Sequence, residues 1–540
     1  MELILSYIST TLAALLFNGD QIGEICPSYG LRQGDPILPY IFILCMEYLS
    51  TLINLKCEEG SWKKIKASRS GLGFSHIFFV DDLLLFAKTN ERNVEVVVEV
   101  LDVFCKLSSL KIGKEKSKIF FSPNVTMEDK LDIVNLTRIS ETHFLGKYLG
   151  FPLIHKGRRR NEFHFVVERV QAKLDGWKSK CLSPVGRLVL IKVAVTAIPE
   201  YTMQCHKLPA KVCEEVNKLV RNFLWGSTMD KKKMHLVGWH KVINPTNMGG
   251  LGNFDMQARN AAFLAKLCWQ IASSPDMPWA QMLICKYLTL FRLRGHSRNQ
   301  TTSRIWKACK VGGVIFNKGL RWSIANGESV SAWADFWLPS GPLRQQIEGP
   351  LNVGKDKIST KSLMNSAECI SFALPDRILQ EIRGIPIVAN PSHEDLLIWA
   401  FSHDGSFSLN FAYLIAKGFN LLNLNTSTHQ WVWKAHTSPR IKFFIWLCTH
   451  HSVPTKKVLG SRGLNLDLMC ELCYEGAKSI IHTFRDCKVA RAVWRDLGFE
   501  ENNWGFFGLN LVEWLKKFCG TSTSYPRPHV PWKILFPQAI

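Results

Sequence analysis

Two apolar runs, His76-Ile77-Phe78-Phe79-Val80 and Leu83-Leu84-Leu85-Phe86-Ala87, flank a single polar pair, Asp81-Asp82. β-Branched and aromatic residues before the pair and aliphatics after it predict a β-hairpin with both carboxylates at its tip. Upstream, apolar residues recur at Ile37, Ile41, Leu44, Tyr48 and Leu52, with Leu49 and Ile53 widening the face, so a core helix is expected from Ile37 to Leu55. Its start is written in Gly30-Leu31-Arg32-Gln33-Gly34-Asp35-Pro36. The glycines let the backbone bend, Asp35 suits an N-cap, and Pro36 suits the first helical position. Further on, Phe163, Val167, Val170, Leu174 and Trp177 predict an amphipathic helix within 161–180, with Arg169, Lys173 and Lys180 on its other faces. Leu182-Ser183-Pro184 ends it, Ser183 caps the next helix, and another helical stretch covers Val212 to Leu224. Trp306, Trp322, Trp333 and Trp337 crowd the segment 303–339. They are read as the core of a small domain rather than as a base-stacking platform. Residues 340–395 are more polar, with Gly and Pro breaks, and are expected to form a spacer.

Three clusters carry candidate chemistry. Adjacent carboxylates repel, and a cation relieves the repulsion. Mg²⁺ prefers such oxygen ligands, and in two-metal phosphoryl transfer two ions about 3.5–4 Å apart hold the attacking and leaving oxygens in line. Alone, Asp81-Asp82 reads first as turn chemistry, because Asp side chains bond the local backbone. The upstream loop alters that balance: a capped core helix accounts for Asp35 and Pro36, but not for Arg32 and Gln33 between two glycines. The second cluster is Cys470-x2-Cys473-x8-His482-x4-Cys487, whose four ligand-type residues suit a closed, structural Zn²⁺ site. With 16 cysteines in the chain, a lone CxxC arises by chance on the order of half a time, so His482 and Cys487 carry the signal. A buried Cys/His cluster without metal is the alternative. The third, Gly249-Gly250-Leu251-Gly252, lacks the Lys-Ser/Thr ending of a P-loop and a strand before it, and reads as a turn feeding a helix.

In order along the chain, the Gly30–Pro36 loop, the helix and the Asp81-Asp82 hairpin resemble the reverse transcriptases of plant non-LTR (LINE-type) retrotransposons. Lys111-Ile112-Gly113-Lys114-Glu115-Lys116-Ser117-Lys118 is similar to that family's lysine segment, and Lys147-Tyr148-Leu149-Gly150-Phe151-Pro152-Leu153 to its primer grip. The resemblance implies that Asp81 and Asp82 bind Mg²⁺. It implies that Gly30, Arg32, Gln33 and Gly34 line the template and incoming nucleotide, and that Lys116 lies near the triphosphate. Val80, Leu38 and Gly113 depart from the family's usual Ala, Ser and Asn. Such enzymes also use a third carboxylate on a strand before the loop. Upstream of Gly30 only Glu2, Asp20 and Glu24 are acidic, and Phe17-Asn18-Gly19-Asp20 reads as a hairpin turn. The expectation is a palm truncated at its start, with little or no polymerase activity by itself. Trp431-x-Trp433-Lys434, Pro439-x-Ile441-Lys442-Phe443-Phe444-x-Trp446, Pro454-Thr455, the four ligands and Trp494 resemble the zinc-binding domain that follows these reverse transcriptases, with helix Ile441–Cys448 packed on the zinc knuckle. Many relatives continue into an RNase H domain; no acidic residue follows Trp532 here.

Composition agrees with a nucleic-acid partner. The 540 residues carry a net charge of +22 and an isoelectric point near 9.4, which favours a polyanionic ligand. Between Lys156 and Lys241 stand 18 Lys and Arg against 7 Asp and Glu, a net +11, so half of the excess lies in less than a sixth of the chain. Mostly isolated cysteines in apolar settings indicate a reducing compartment, nuclear or cytoplasmic. The first 17 residues lack the basic start and cleavage site of a signal peptide, and no membrane association is expected. The expected fold is α+β: a partial reverse-transcriptase palm (1–155), a helical thumb or connection (156–270), a Trp-rich linker region (271–400), a small zinc-binding domain (405–500) and a tail (501–540). The function expected is that of an RNA-directed DNA polymerase module with RNA template and DNA primer as partners. A non-catalytic nucleic-acid-binding zinc protein and a pseudogene product are the alternatives.

Overall fold

The structure is a computed structural model that describes residues 13–25, 34, 36–68, 71–153, 162–176, 181–228, 231–287, 302–347, 358–365, 374–385, 394–419, 421, 429–499, 504–520 and 532–540. The chain divides into two compact units, residues 1–158 with 276–290, and residues 159–275 with 291–540.

In the first unit, β1 (Ala13–Phe17) and β2 (Asp20–Ile25) form a hairpin whose register pairs Phe17 with Asp20. Its turn is Asn18-Gly19, with φ of 51° and 96°, the paired positive values that an Asn-Gly turn supplies at low cost. Helix α1 (Leu38–Glu58) starts later than expected, with Ile37 at its N-cap, Pro39 rather than Pro36 in its first turn and no side-chain cap; Asp35 lies outside the described residues. β3 (Ile65–Lys66) pairs with β4 (Gly73–Phe74), and β5 (His76–Phe79) with β6 (Asp82–Leu85). Helix α2 (Glu91–Ser108) stops at Ser109 in a left-handed conformation. Helix α3 (Met127–Thr137) starts at Thr126, whose hydroxyl accepts the Asp129 amide at 3.2 Å. β7 (Lys147–Tyr148) and β8 (Phe151–Pro152) close a last hairpin through Leu149 and Gly150, at φ 50° and 76°.

The core of this unit is Leu49, Ile53, Trp62, Val100 and Phe104, with Phe78, Leu83 and Leu85 of the β5–β6 hairpin packed on it. This corrects the expected face of α1. Leu44 is 61% and Tyr48 43% exposed, whereas Leu49 and Ile53 are buried. A helix apolar on most sides does not encode which side is covered; α2 and the hairpin choose it. Among the described residues α1 is also the one helix long and apolar enough to cross a membrane, though Glu47, Asn54 and Lys56 interrupt it.

The second unit is mainly helical. Phe163, Val166, Val167, Val170 and Leu174 bury one face of α4 (His164–Leu174). Helix α5 (Pro184–Leu190) has Ser183 as its cap, accepting the Gly186 amide at 3.2 Å, with Pro184 in the first turn. A π-turn (Ile191–Val195) leads into α6 (Ala197–Met203), then α7 (Ala210–Trp225). Gly249–Gly252 form a turn before α8 (Met256–Ser273), which Asp255 caps. Helix α9 (Arg304–Gly319) crosses α8 closely because Gly312 rests on the Leu264–Ala265 backbone. β9 (Leu320–Ser323) pairs antiparallel with β10 (Leu396–Trp399). Trp333 and Trp337 are buried, as the core reading requires.

The residues expected as a spacer are partly core: Leu343, Leu363 and Ile378 pack with Trp333, Trp337 and Leu338. Three apolar anchors far apart in a polar sequence show no period, so only the folded contacts expose them. After α10 (Leu409–Ala416), α11 (Pro439–Thr449) and α12 (Lys488–Asp496) come α13 (Leu511–Gly520) and α14 (Trp532–Ala539). Set apart as a tail in the sequence, this last stretch is folded: Phe506, Trp514, Phe518 and Phe536 surround Trp494 or its neighbours at centroid distances of 4.9–5.7 Å. Rings of this size each bury some 150–250 Å², roughly 4–6 kcal/mol of gross burial apiece.

Candidate metal centres

The acidic hairpin is built from packing at its base. Trp62 Nε1 donates to the Phe86 carbonyl at 3.0 Å, and the Phe86 amide donates to the Ser75 carbonyl at 2.7 Å. His76 lies between two hydroxyls, Ser50 Oγ at 3.0 Å from Nε2 and Ser75 Oγ at 3.0 Å from Nδ1, which ties β5 to α1. Burial, helped by the Lys64 charge, holds the His76 pKa below its ordinary value. Phe79 pairs with Asp82, so the turn is Val80-Asp81. Val80 sits at φ +53°, a region that a β-branched residue rarely enters and that costs on the order of 1–3 kcal/mol. Asp81 and Asp82 are exposed, and no ion pair engages either among the described residues. The free carboxylates at a strained tip fit a hard divalent cation in chemistry.

Tyr148, on β7, bears on the same place. Its hydroxyl is enclosed and has no hydrogen-bond partner among the described residues. Burial and then the Asp82 charge raise its pKa. Of the loop residues, Gly34 is exposed at φ +91°, a conformation suited to glycine. Gly30, Arg32 and Gln33 lie outside the described residues. Lys116 is exposed in a turn where its amide bonds the Gly113 carbonyl at 3.0 Å; no described contact joins it to the aspartates.

The Cys/His cluster closes completely. One donor atom from each of Cys470, Cys473, His482 and Cys487 lies within 4.8 Å of all the others. Cys470 Sγ and Cys487 Sγ are 3.9 Å apart, and Cys473 Sγ is 3.3 Å from His482 Nε2. Two thiolates about 2.3 Å from a tetrahedral centre would stand roughly 3.8 Å apart, so the cage fits Zn²⁺. The backbone prepares it. The Cys470 amide donates to the Gly476 carbonyl, Tyr474 turns the knuckle at φ +54°, and the Cys487 amide donates to the His482 carbonyl at 2.8 Å. Burial pushes the Cys470 thiol up, but the Leu472 amide, His482 and Cys473 outweigh it and bring it down to about 6. A thiol near that value is readily deprotonated for metal. Glu471 pairs with Lys456 at 2.6 Å and with Lys478 at 3.8 Å, and Glu475 pairs with Lys488, so lysines surround the knuckle. Phe444 of α11 meets Phe484 edge-on at 5.4 Å, placing that helix against the knuckle as expected.

Sequence reasoning did not single out His76, Tyr148 or these lysines. His76 was hidden inside an apolar run. Tyr148 stood in a quoted motif, but its relation to Asp82, 66 residues away, exists only in the fold.

Comparison with known proteins follows this division. Residues 2–153 match the family described as reverse transcriptase (RNA-dependent DNA polymerase), and residues 407–494 match the zinc-binding domain in reverse transcriptase. The chain carries a retroelement reverse-transcriptase domain followed by a reverse-transcriptase zinc-binding domain. Its relatives agree with the plant LINE-type resemblance. A protein of Arabidopsis thaliana named as a ribonuclease H protein is 29% identical over 399 residues, covering 71% of this chain and 63% of that one. An uncharacterized mitochondrial protein of the same plant is 45% identical over 67 residues, 12% of this chain and 55% of its own. The retrovirus-related Pol polyprotein of a type-2 retrotransposable element in Drosophila melanogaster is 26% identical over 224 residues, 38% of this chain and 19% of that polyprotein. The chain thus spans about two thirds or less of each of these three relatives.

Proposed function

We propose that the first unit is the palm of an RNA-directed DNA polymerase and that Asp81 and Asp82 are its magnesium ligands. The observation that carries this reading is the hairpin whose turn and first β6 residue present two adjacent, exposed carboxylates, with no ion pair among the described residues, inside the segment that matches the reverse-transcriptase family. Magnesium held there would neutralise charge developing on a transferred phosphoryl group. Gly30, Arg32, Gln33 and Gly34 would line the template and nucleotide, with Lys116 near the triphosphate. In the second unit α4 to α7 would act as a thumb, supported by the net +11 between Lys156 and Lys241, which suits a phosphate backbone. The zinc domain is structural in this reading, since its four donors leave no open position.

Primer extension on an RNA template with Mg²⁺ tests this reading. Synthesis abolished by Asp81→Ala would establish the site. Synthesis indifferent to both Asp81→Ala and Asp82→Ala would overturn the site.

A further inference from the structure

Neither family match covers residues 154–406, yet this stretch holds a cavity of about 300 Å³ in the Trp-rich part of the second unit. Its walls include Asn317 and Lys318 from the last turn of α9, Arg321 of β9, Phe336, Ser340 and Gln345. Arg321 is locked in place: Nη1 donates to the Leu320 carbonyl at 2.7 Å and Nη2 to the Pro339 carbonyl at 2.8 Å. Both acceptors are neutral. Burial opposes the guanidinium charge, and no ion pair engages Arg321 or Lys318 among the described residues. The carboxamides of Asn317 and Gln345 have no hydrogen-bond partner among the described residues. Among the described contacts of the wall residues the one carboxylate is Glu381, which is met by the Ser340 amide and hydroxyl and by Arg377 at 3.7 Å. A cation in the last turn of a helix suits its dipole. The dipole does not account for a second, fixed cation and two idle carboxamides on the same cavity. Two uncompensated cations call for an anion. Carboxamides both donate and accept, so they match the mixed edge of a nucleobase. Half-buried Phe336 supplies an apolar ring for such a base. The volume lies at the lower end of small-molecule sites, room for one nucleotide and far too small for a duplex.

We propose that this cavity is a nucleotide site separate from the palm, in which Lys318 and Arg321 hold the phosphate and Asn317 and Gln345 read a base laid against Phe336. Phosphate suits the guanidinium fork, whose orientation the two carbonyls preset. The ligand is a nucleoside 5′-monophosphate, either free or as the 5′ end of a strand. The site goes beyond the polymerase reading and does not rest on it.

The test is equilibrium dialysis of the full chain against labelled AMP, GMP, CMP and UMP, without added Mg²⁺. The best-bound nucleotide should bind about 10-fold more tightly than its nucleoside, because the charge-assisted bonds go with the phosphate. Lys318→Met keeps the apolar stem, removes the charge, and should weaken binding about 10-fold. Gln345→Leu, at an exposed position, should narrow the differences between bases without disturbing the fold, and carries the test if Lys318→Met does not fold. Lys310→Met, at another exposed position of α9, is the control for general charge loss. An RNA tetranucleotide that displaces the nucleotide only when 5′-phosphorylated assigns the site to a strand end. One that displaces it in neither form assigns the site to free nucleotide, and displacement by both forms overturns the phosphate role. Binding lost in Asp81→Ala but kept in Lys318→Met belongs to the palm, which overturns this site and leaves the polymerase reading intact. Wild-type protein that binds no nucleotide at millimolar concentration, or site variants that bind as Lys310→Met does, also overturn it.

Discussion

Gly312 and Gly313 are neighbours in the middle of α9, and the structure assigns opposite signs to the same substitution at each. Alanine in a helix interior is favoured over glycine by about 0.8–1.0 kcal/mol. At Gly313 an added Cβ meets nothing within 4 Å, so Gly313→Ala should realise most of that gain. At Gly312 the same atom would stand 2.2 Å from both the carbonyl carbon and oxygen of Leu264, and 2.6 Å from the Ala265 nitrogen. Ordinary contact begins near 3.4 Å, so backbone must yield by about 1 Å, and no side-chain rotation relieves it. Leu264 and Ala265 are both fully buried, so parting α8 from α9 loosens packed core on both helices. Overpacking of this kind costs roughly 1–3 kcal/mol, which outweighs the propensity gain. Both variants carry the propensity gain, so they are expected to differ by the overpacking cost alone, about 1–3 kcal/mol, with wild type between them. Urea unfolding followed by tryptophan emission, with hydrogen exchange read at α8 and α9, measures the difference. Equal midpoints for the two variants, or a Gly312→Ala protein more stable than wild type, would refute the close-crossing argument.

Metal analysis of protein purified without chelator should find one zinc per chain, and Cys487→Ser should lower zinc affinity about 100-fold, taking one of four ligands from a site worth on the order of 10–16 kcal/mol; hydrogen exchange should then rise at 468–487 and much less around Trp514. Asn260 is 3% exposed, accepts the Leu208 amide at 2.9 Å, and donates to the Met203 and His206 carbonyls at 3.2 and 2.9 Å. Asn260→Ala leaves these groups unpaired and should cost about 2–4 kcal/mol in the same urea assay. Asp395 pins the loop 325–329 by accepting the Ala325, Gly327 and Ser329 amides and the Ser329 hydroxyl. Burial raises its pKa, but these bonds outweigh it and leave the pKa lowered. A lowered carboxylate pKa stabilises at pH above the unfolded value near 3.9, and the contribution is lost as pH falls through the folded value. Exchange at 325–329 should rise in that acid window in wild type, whereas Asp395→Asn should show elevated exchange at neutral pH with little further change on acidification.

What could be read from the sequence was local. Ser183 caps α5, the Asn18-Gly19 turn closes β1–β2, and the Asp81-Asp82 pair falls at a hairpin, because each depends on residues within four or five positions. The covered face of α1 was not legible, since Ile43, Leu44, Tyr48, Leu49 and Ile53 are all apolar and only contact with α2 separates them. Leu343, Leu363 and Ile378 were passed over for the same reason: their partners are tryptophans outside their own segment. The aromatic packing after residue 500 depends on Trp494 meeting Trp514 and Phe536, a relation with no sequence period.

The two candidate metal centres differ in legibility because their proposed ligands differ in reach. The thiolates and imidazole of the knuckle fall within 18 residues, so spacing names all four, and the fold brings their donor atoms within 4.8 Å of one another. A polymerase carboxylate site draws oxygens from separate strands, and spacing exposes only the pair adjacent in the chain. The fold adds an influence of the Asp82 charge on Tyr148, secondary to burial, and a valine at φ +53° at the turn. Backbone held in a costly conformation beside exposed carboxylates is the kind of strain that clusters at functional sites. The φ of Val80 therefore supports the proposal of a functional hairpin on grounds separate from the family match.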